Sequence, residues 1–162
     1  MFEAAAQTRA ILKAHRRIAR AIDLHSRRVE RVSGLTLAQL VVLGCARDLG
    51  ESATTKAIAA EADISDATVV AMLEKLEMKG LVERERSRVD RRVVHTRLTP
   101  AGEKALAAAP PVLGEGFSAA FAVLDPADRQ RLAAAFTRIA DLAAPAPAAA
   151  RVQQAGDSTI SG

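Results

Sequence analysis

The stretch from residue 54 to residue 102 constrains the fold most strongly, because its pattern predicts two short helices followed by a two-stranded hairpin. Thr54 is a good N-cap for the first helix. Ser65 is a good N-cap for the second helix, which should end at Gly80. Asp63 lies between them, where it would adopt a left-handed conformation that aspartate tolerates. The pattern therefore predicts a helix-turn-helix motif.

Two strands are predicted directly after this motif, on either side of an arginine-rich tip. The strands cover residues 82–86 and 93–98, and the tip between them has the sequence Ser-Arg-Val-Asp-Arg-Arg. Six arginines occur from residue 84 to residue 97, against only Glu85 and Asp90. A helix-turn-helix motif with such a wing can place a helix in one groove of DNA and a cationic loop in the next. The sequence therefore predicts a DNA-binding protein.

The composition favours a helical protein of a single domain. Among 162 residues, 49% are hydrophobic, but alanine supplies much of that share, and there are four Phe and no Trp or Tyr. Because alanine favours helices and buries little area, we expect closely packed helices and a core that a partner subunit completes. The net charge of +4 is compatible with a polyanionic partner but does not establish one.

Several functional classes are disfavoured by what the sequence lacks. A single cysteine excludes an intrachain disulfide and suits a reducing cytoplasm. No run of 18 apolar residues and no basic-then-apolar leader occurs, so we expect a cytoplasmic protein that neither spans a membrane nor is secreted. His15 and His25 lie in one predicted helix and His95 in a predicted strand, and the sequence contains no glycine-rich phosphate loop or paired carboxylates, which argues against an enzyme, a cofactor and a bound metal.

Helices are predicted on both sides of the motif. A long helix over about residues 8–33 has one apolar face, formed by Ile11, His15, Ile18, Ile22, His25, Val29 and Val32. Another helix begins at Thr99 and should break at the two prolines of residues 110–111. A last helix begins at Asp125, and its apolar face consists of Leu132, Ala135, Phe136, Ile139 and Leu142. Residues 144–162 lack periodicity and are predicted to be a disordered tail.

Three segments of this sequence resemble the MarR family of multiple-antibiotic-resistance regulators. Residues 90–102 match the family's D-R-R…L-T-x-x-G pattern with Asp-Arg-Arg, Leu-Thr and Gly102. Residues 73–82, Leu-x-x-Leu-Glu-x-Lys-Gly-Leu-Val, resemble the exit of the recognition helix into the wing. Residues 35–40, Leu-Thr-Leu-x-Gln-Leu, resemble the entry into the second helix. The resemblance covers about residues 10–143.

The resemblance implies a mainly α fold with a small β-wing. It implies a single domain over residues 8–143, with a winged helix-turn-helix lobe at 35–98 and dimerisation helices at 8–33 and 99–143. A homodimer would bind a pseudo-palindromic site on double-stranded DNA, most often as a repressor that a small-molecule effector or an oxidant releases. The alternative is a winged helix used for protein–protein contact, although a protein-binding wing would more often be mixed or apolar than rich in arginine.

The wing tip is the strongest candidate contact with DNA. Arg92 is predicted to enter the minor groove, with Asp90 holding it or its neighbour in an extended pose, and Arg91 is the alternative inserter. The competing interpretation is a solvated charged tip that contributes little. Arg84, Arg86 and Arg97 are expected to meet phosphates. The predicted DNA-binding residues are Thr54, Thr55, Lys56, Ser65, Asp66, Ala67, Thr68, Val70, Ala71, Lys75, Arg84, Arg86, Arg88, Asp90, Arg91 and Arg92.

The recognition helix departs from the family where it should meet the bases. Many members carry Thr-Arg early in this helix, whereas this chain has Val70 and Ala71. Such small apolar side chains can touch thymine methyl groups, and Asp66 can accept a hydrogen bond from a cytosine amine. We infer that specificity depends more on the wing and on DNA shape than is usual. Thr54, Thr55, Lys56, Ser65 and Thr68 are equally explained as phosphate contacts or as helix caps and surface residues.

A ligand pocket is predicted only by analogy with the family. There, pockets lie between the dimerisation helices and the DNA-binding lobe, where Arg20, His25 and Cys45 would lie. His15 and His25 are otherwise explained by packing or interfacial hydrogen bonds. Cys45 is expected to be a buried structural cysteine, because the peroxide-sensing members of the family carry their reactive cysteine in the first helix.

Overall fold

The computed structural model describes residues 2–87 and 90–143, and its described part is mainly helical with one small sheet. The predictions made for Arg88 and for the tail at 144–162 lie outside the described residues. The elements are α1 (Phe2–Ser33), α2 (Leu37–Leu49), a 3-10 turn (Gly50–Ser52), α3 (Thr55–Ala62), α4 (Asp66–Met78), β1 (Val82–Arg86), β2 (Val94–Leu98), α5 (Pro100–Ala108), α6 (Glu115–Ala122) and α7 (Pro126–Ala143). The predicted fold class, mainly α with a β-wing, is confirmed.

The chain divides into two compact units, at residues 1–118 and 119–162. The first unit contains α1 to α5 and the helix-turn-helix motif. Its core lies around α2, on which α3, α4 and the sheet pack. The largest fully buried side chains of this core are Leu43, Ile58, Leu73, Leu76, Val29, Val42, Val69, Val82 and Thr96. The described part of the second unit is the end of α6 and all of α7, whose apolar side chains are exposed.

The helix-turn-helix motif forms through the local contacts that the sequence indicated. The Thr54 hydroxyl accepts a hydrogen bond from the backbone amide of Ala57 at 3.2 Å. The Ser65 hydroxyl accepts one from the amide of Thr68 at 3.3 Å. Asp63 adopts the left-handed conformation with φ of 52°. The caps and the turn are therefore confirmed.

The residues at 98–102 that resemble the family pattern connect the start of β1 to the start of α5. The Thr99 amide donates to the Leu81 carbonyl at 3.1 Å, and the Thr99 hydroxyl donates to the Gly80 carbonyl at 2.7 Å. Gly102 crosses so near to Leu81 that an added Cβ would overlap the Leu81 carbonyl oxygen. The glycine of this pattern is therefore required by packing of one backbone against another.

Three further residues of the resemblance also hold the lobe together. Thr36 and Gln39 form a capping box at the start of α2, since each side chain bonds to the other's backbone amide. The Lys79 ammonium donates to the carbonyl of Gly34 at 2.7 Å and so joins the end of α4 to the end of α1. These residues of the family-like segments therefore have a structural role, since each holds one helix end in place.

The structure departs from the sequence predictions at three places. α1 begins at Phe2, six residues before the predicted start at Thr8. The expected break after α5 occurs, but residues 115–122 then form α6, a helix that was not predicted. Cys45 is half-buried against the core and is not fully buried.

Most of α1 lies outside the core of the first unit. Every described side chain from residue 3 to residue 24 is exposed, and only Val29 of this helix is fully buried. None of the described helices is by itself long and apolar enough to span a membrane. The helical segments Glu3–Ser33 and Leu37–Ser52, considered as one pair bent by 71°, are together long and apolar enough by length and composition alone.

Candidate nucleic-acid interface

The outer face of α4 presents small side chains at the positions predicted to read bases. Asp66, Ala67 and Ala71 are exposed, and Val70 is half-buried. The inward side is fixed by the core, because Val69, Leu73 and Leu76 are buried. The exposed face continues toward the end of the helix with Glu74, Lys75 and Met78. The structure therefore brings the predicted α4 residues onto one continuous surface.

Met78 is a residue that the sequence analysis missed. Its side chain is 79% exposed at the last position of α4. It follows Ala71 by seven residues and Lys75 by three, so helical periodicity already placed it on the same face. An exposed thioether is apolar and adaptable, which suits contact with a thymine methyl group or a deoxyribose.

The charge of α4 differs from that expected of a helix that approaches DNA. Its acidic residues are Asp66, Glu74 and Glu77, and Lys75 is its one basic residue. The net charge of the helix is therefore −2. Asp66 and the N-terminal turn suit hydrogen bonding to a base amine, but the helix as a whole repels phosphates.

The start of α3 lies beside the start of α4. Thr55 is half-buried and Lys56 is exposed. Lys56, Ser65 and Asp66 line the same open groove, together with residues of the turn. The hydroxyls of Thr54 and Ser65 already serve as caps, and the Ser65 hydroxyl lies 2.7 Å from that of Thr68. Lys56 is thus the side chain of this group with a free charge for a phosphate.

The strands of the wing pair in antiparallel register, with Val82 opposite Leu98 and Arg84 opposite Thr96. Arg84 is not a free cation, because its guanidinium Nη1 lies 3.8 Å from Glu77 Oε2 and its side chain is only 21% exposed. Its Nε is buried without a hydrogen-bond partner. Arg84 therefore joins the wing to α4, whereas Arg86 is exposed near the tip.

Asp90 shapes the tip of the wing through the backbone. Its carboxylate accepts a hydrogen bond from the amide of Arg92 at 2.9 Å, and its carbonyl accepts one from the amide of Val93 at 2.9 Å. The Ser87 amide bonds to the carbonyl of Val93 at 2.9 Å and closes the turn. Asp90 therefore holds the backbone of a tight turn at residues 90–93, and the extended pose of an arginine side chain at the tip stays a prediction.

Arg91 and Arg92 are both exposed in this turn. Neither takes part in the ion pairs found among the described residues. Two adjacent guanidinium groups without a carboxylate partner repel each other, and a phosphate or the negative potential of a minor groove relieves that repulsion. The tip is therefore the part of the wing most available to an anion.

The wing and Glu51 line an open groove of about 400 Å³. Arg97 lies there with its guanidinium Nη2 3.4 Å from Glu51 Oε1, in an ion pair that is exposed to solvent. His95 also lines the groove, and its Nδ1 is buried without a hydrogen-bond partner. Arg97 is therefore less available to phosphates than the tip arginines.

The three candidate ligand residues lie in different surroundings. Arg20 lines an open groove along α1 that contains neither His25 nor Cys45. His25 is half-buried, and its Nε2 donates to the carbonyl of Pro111 at 2.8 Å. Partial burial, followed by the charges of Glu61 and Asp48, raises the pKa of the Cys45 thiol. A raised pKa disfavours the reactive thiolate.

Comparisons with known proteins agree with this geometry. A model of the MarR family matches residues 35–94, which contain the helix-turn-helix motif and most of the wing. BpsR of Bordetella bronchiseptica, whose DNA binding is regulated by 6-hydroxynicotinic acid, is 27% identical over 79% of this chain and 98% of its own, with a TM-score of 0.59. The transcriptional regulator MOSR of M. tuberculosis, solved in complex with DNA, is 26% identical over 82% of this chain and 98% of its own, with a TM-score of 0.59.

A third structure resembles the chain in fold. Sco3205 of Streptomyces coelicolor, a MarR family transcriptional regulator solved in complex with DNA, has a TM-score of 0.71. It is 21% identical and covers 87% of this chain and 94% of its own. No curated protein matches the sequence.

Proposed function

We propose that the chain is a DNA-binding transcriptional regulator of the MarR family, whose model matches residues 35–94, and that it is a homodimeric repressor released from a pseudo-palindromic operator by a small-molecule effector. The observation that carries the proposal is that one lobe combines the exposed outer face of α4 with Arg91 and Arg92 of the wing tip, which take part in no ion pair among the described residues. A helix for the major groove and a cation for the adjacent minor groove are the two parts that such a protein needs. The proposal includes a cytoplasmic location and no enzymatic activity.

The predicted DNA-binding residues divide into three roles under this proposal. Asp66, Ala67, Val70 and Ala71 contact base edges from α4. Arg91 and Arg92 enter the minor groove. The phosphate contacts come from the exposed cations Lys56, Lys75 and Arg86 and from the hydroxyls of Thr55 and Thr68.

Exposed apolar faces at both ends of the chain support the dimer. In α1, Ile11 and Ile18 are 47% and 38% exposed, although they are large apolar side chains. In α7, Phe136 and Leu142 are 56% and 79% exposed. Surfaces of this kind are buried in stable oligomers. Two copies related by a two-fold axis would bury them and present two lobes to one operator.

The effector is the least specified part of the proposal. BpsR supports it, since a small aromatic acid regulates the DNA binding of that relative. A thermal-shift screen that begins with 6-hydroxynicotinic acid is the direct search, because a ligand of the native dimer raises its Tm. A compound that raises Tm should also weaken binding to the operator if it is an effector.

The proposal is tested by selecting duplexes from a random pool with the purified protein. The selected sites should contain two inverted half-sites about 10 bp apart, centre to centre. Sedimentation at micromolar concentration should give the mass of a folded dimer. A folded monomer, or selected duplexes without inverted symmetry, would contradict the proposal.

A further inference from the structure

The excess positive charge of the chain lies in α1 and outside the DNA-binding lobe. Residues 34–98 contain ten basic and ten acidic residues, so the lobe has no net charge. α1 contains eight basic residues against Glu3, Asp23 and Glu30, a net charge of +5, whereas the whole chain carries +4. A function that uses only the lobe leaves this concentration of charge unexplained.

The charge is densest in the first two-thirds of α1. Between residue 4 and residue 22 there is no acidic residue. The five basic residues of this segment, called here the α1 basic stripe, are Arg9, Lys13, Arg16, Arg17 and Arg20. All five are exposed, and none takes part in the ion pairs among the described residues. With Leu12 they line an open groove of about 440 Å³.

The α1 basic stripe lies on the face of the helix opposite to the apolar one. At about 100° per residue, Ile11, Ile18 and Ile22 cluster on one side of α1 and the five cations cluster on the other. When the apolar face is buried against a second copy, the basic stripe stays in solvent on both protomers. An anionic membrane would instead require the apolar and the basic face of the helix together.

The shape of the stripe suits a linear polyanion. Its cations extend over twelve residues of one helix, about 16 Å from the first to the last. Pockets for small molecules are concave and enclose most of the ligand. The described residues that line this groove all belong to one helix, so they do not enclose a small molecule on opposite sides. Regularly spaced cations on an exposed helix match the phosphates of a DNA strand, where each neutralised phosphate releases counterions.

The stripe is also remote from the lobe. It begins about 14 Å beyond Val29, the buried anchor of α1, and ends about 30 Å beyond it. α1 meets the lobe at Gly34, beside Lys79. Lys79 follows the C-terminal end of α4, about 20 Å from the N-terminal end that reads bases. We propose that the α1 basic stripe binds the phosphate backbone of a second DNA duplex while the lobes hold the operator.

The test is a ternary complex measured with the full chain. Protein saturated with an unlabelled duplex selected from the random pool is titrated with a labelled duplex of unrelated sequence. The stripe variant carries Lys13→Gln, Arg16→Gln and Arg20→Gln. A matched control removes the same charge from α7 with Arg129→Gln, Arg131→Gln and Arg138→Gln. Circular dichroism and sedimentation establish that both variants fold and dimerise.

The parent and the α7 control should form the ternary complex alike, and the stripe variant should form it at least ten-fold more weakly. Affinity of the stripe variant for the selected duplex should change less than three-fold. A separate variant of the parent with Arg16→Lys and Arg20→Lys should form the ternary complex as the parent does. Phosphates attract the positive charge of the side chain and do not require the geometry of a guanidinium group. Absence of the ternary complex in the parent, or an unchanged stripe variant, overturns the inference.

Two further outcomes distinguish this inference from a membrane contact and from a failure of the proposed function. If phosphatidylserine vesicles bind the parent through the stripe and a second duplex does not, the surface is a membrane contact and the inference is wrong. If the parent selects no duplex from the random pool, the proposed function fails by itself. The stripe is then judged from the affinity of the parent and the stripe variant for one labelled duplex of unrelated sequence, where equal affinities overturn the inference.

Discussion

The recognition helix α4 and the wing are neighbours in one lobe, but they carry opposite charge. α4 has a net charge of −2 and an outer face of small side chains around Ala71. The wing, residues 82–98, has six arginines against Glu83, Glu85 and Asp90, a net charge of +3. We propose a division of roles on this basis, in which the wing supplies the attraction to DNA and α4 supplies shape and methyl contacts.

Within the wing the arginines are not equivalent. Arg84 is half-buried against Glu77, and Arg97 is paired with Glu51. Arg91 and Arg92 have no such partner among the described residues. A count of arginines therefore overstates the charge available to DNA, and the tip carries most of it.

The largest effect is expected from removing the tip. Arg92→Ala should weaken binding to a selected duplex at least ten-fold, about 1.4 kcal/mol, and Arg91→Ala with Arg92→Ala should approach a hundred-fold loss. Fluorescence anisotropy at fixed salt measures both, with circular dichroism to confirm the fold. Arg97→Ala is the matched control and should cost less than three-fold, because Glu51 already pairs with that arginine. Equal losses for Arg92 and Arg97 would contradict the ranking of the wing arginines.

A smaller effect is expected from adding charge to α4. Ala71→Arg should raise affinity for unrelated duplexes about five-fold and raise affinity for a selected duplex less, because the new guanidinium attracts phosphates without a chosen base. Ala71→Gln adds length without charge and should leave affinity for unrelated duplexes unchanged. If Ala71→Arg raised the affinity for the selected duplex more than the affinity for unrelated duplexes, α4 would contact bases more specifically than its small side chains suggest.

The smallest effect is expected at the contact between the two regions. Glu77→Gln removes the ion pair with Arg84 and one acidic charge near DNA. Stability should fall by no more than about 1 kcal/mol, as for other partly exposed pairs. DNA binding should tighten about two-fold, which a side-by-side anisotropy titration resolves. A loss of affinity beyond three-fold would mean that the Glu77–Arg84 pair holds the wing in its binding position.

Much of the fold follows from local sequence. The caps at Thr54, Ser65 and Thr99 and the left-handed Asp63 depend on hydrogen bonds over three or four residues, so spacing alone predicts them. α6 was not predicted, because Gly114 and Gly116 disfavour a helix there and two prolines precede this short segment.

The roles of the family-like residues were harder to predict. Lys79 and Gly102 act on backbone carbonyls of other elements, at Gly34 and Leu81. A pattern of residues does not indicate which distant atoms it will meet. For the same reason the sequence did not indicate the ion pair of Arg84 with Glu77, and the contact of Arg84 with a phosphate stays a prediction.

Base analogues in a selected duplex test the division between wing and α4 most directly, because they change one groove at a time. Replacing adenine by 2,6-diaminopurine under the wing adds an amino group to the minor groove and leaves the major-groove atoms in place. Replacing adenine by 7-deazaadenine under α4 removes an acceptor from the major groove only. We predict that the first change weakens binding at least ten-fold and the second less than three-fold. The reverse order would contradict the claim that the wing supplies most of the affinity for DNA.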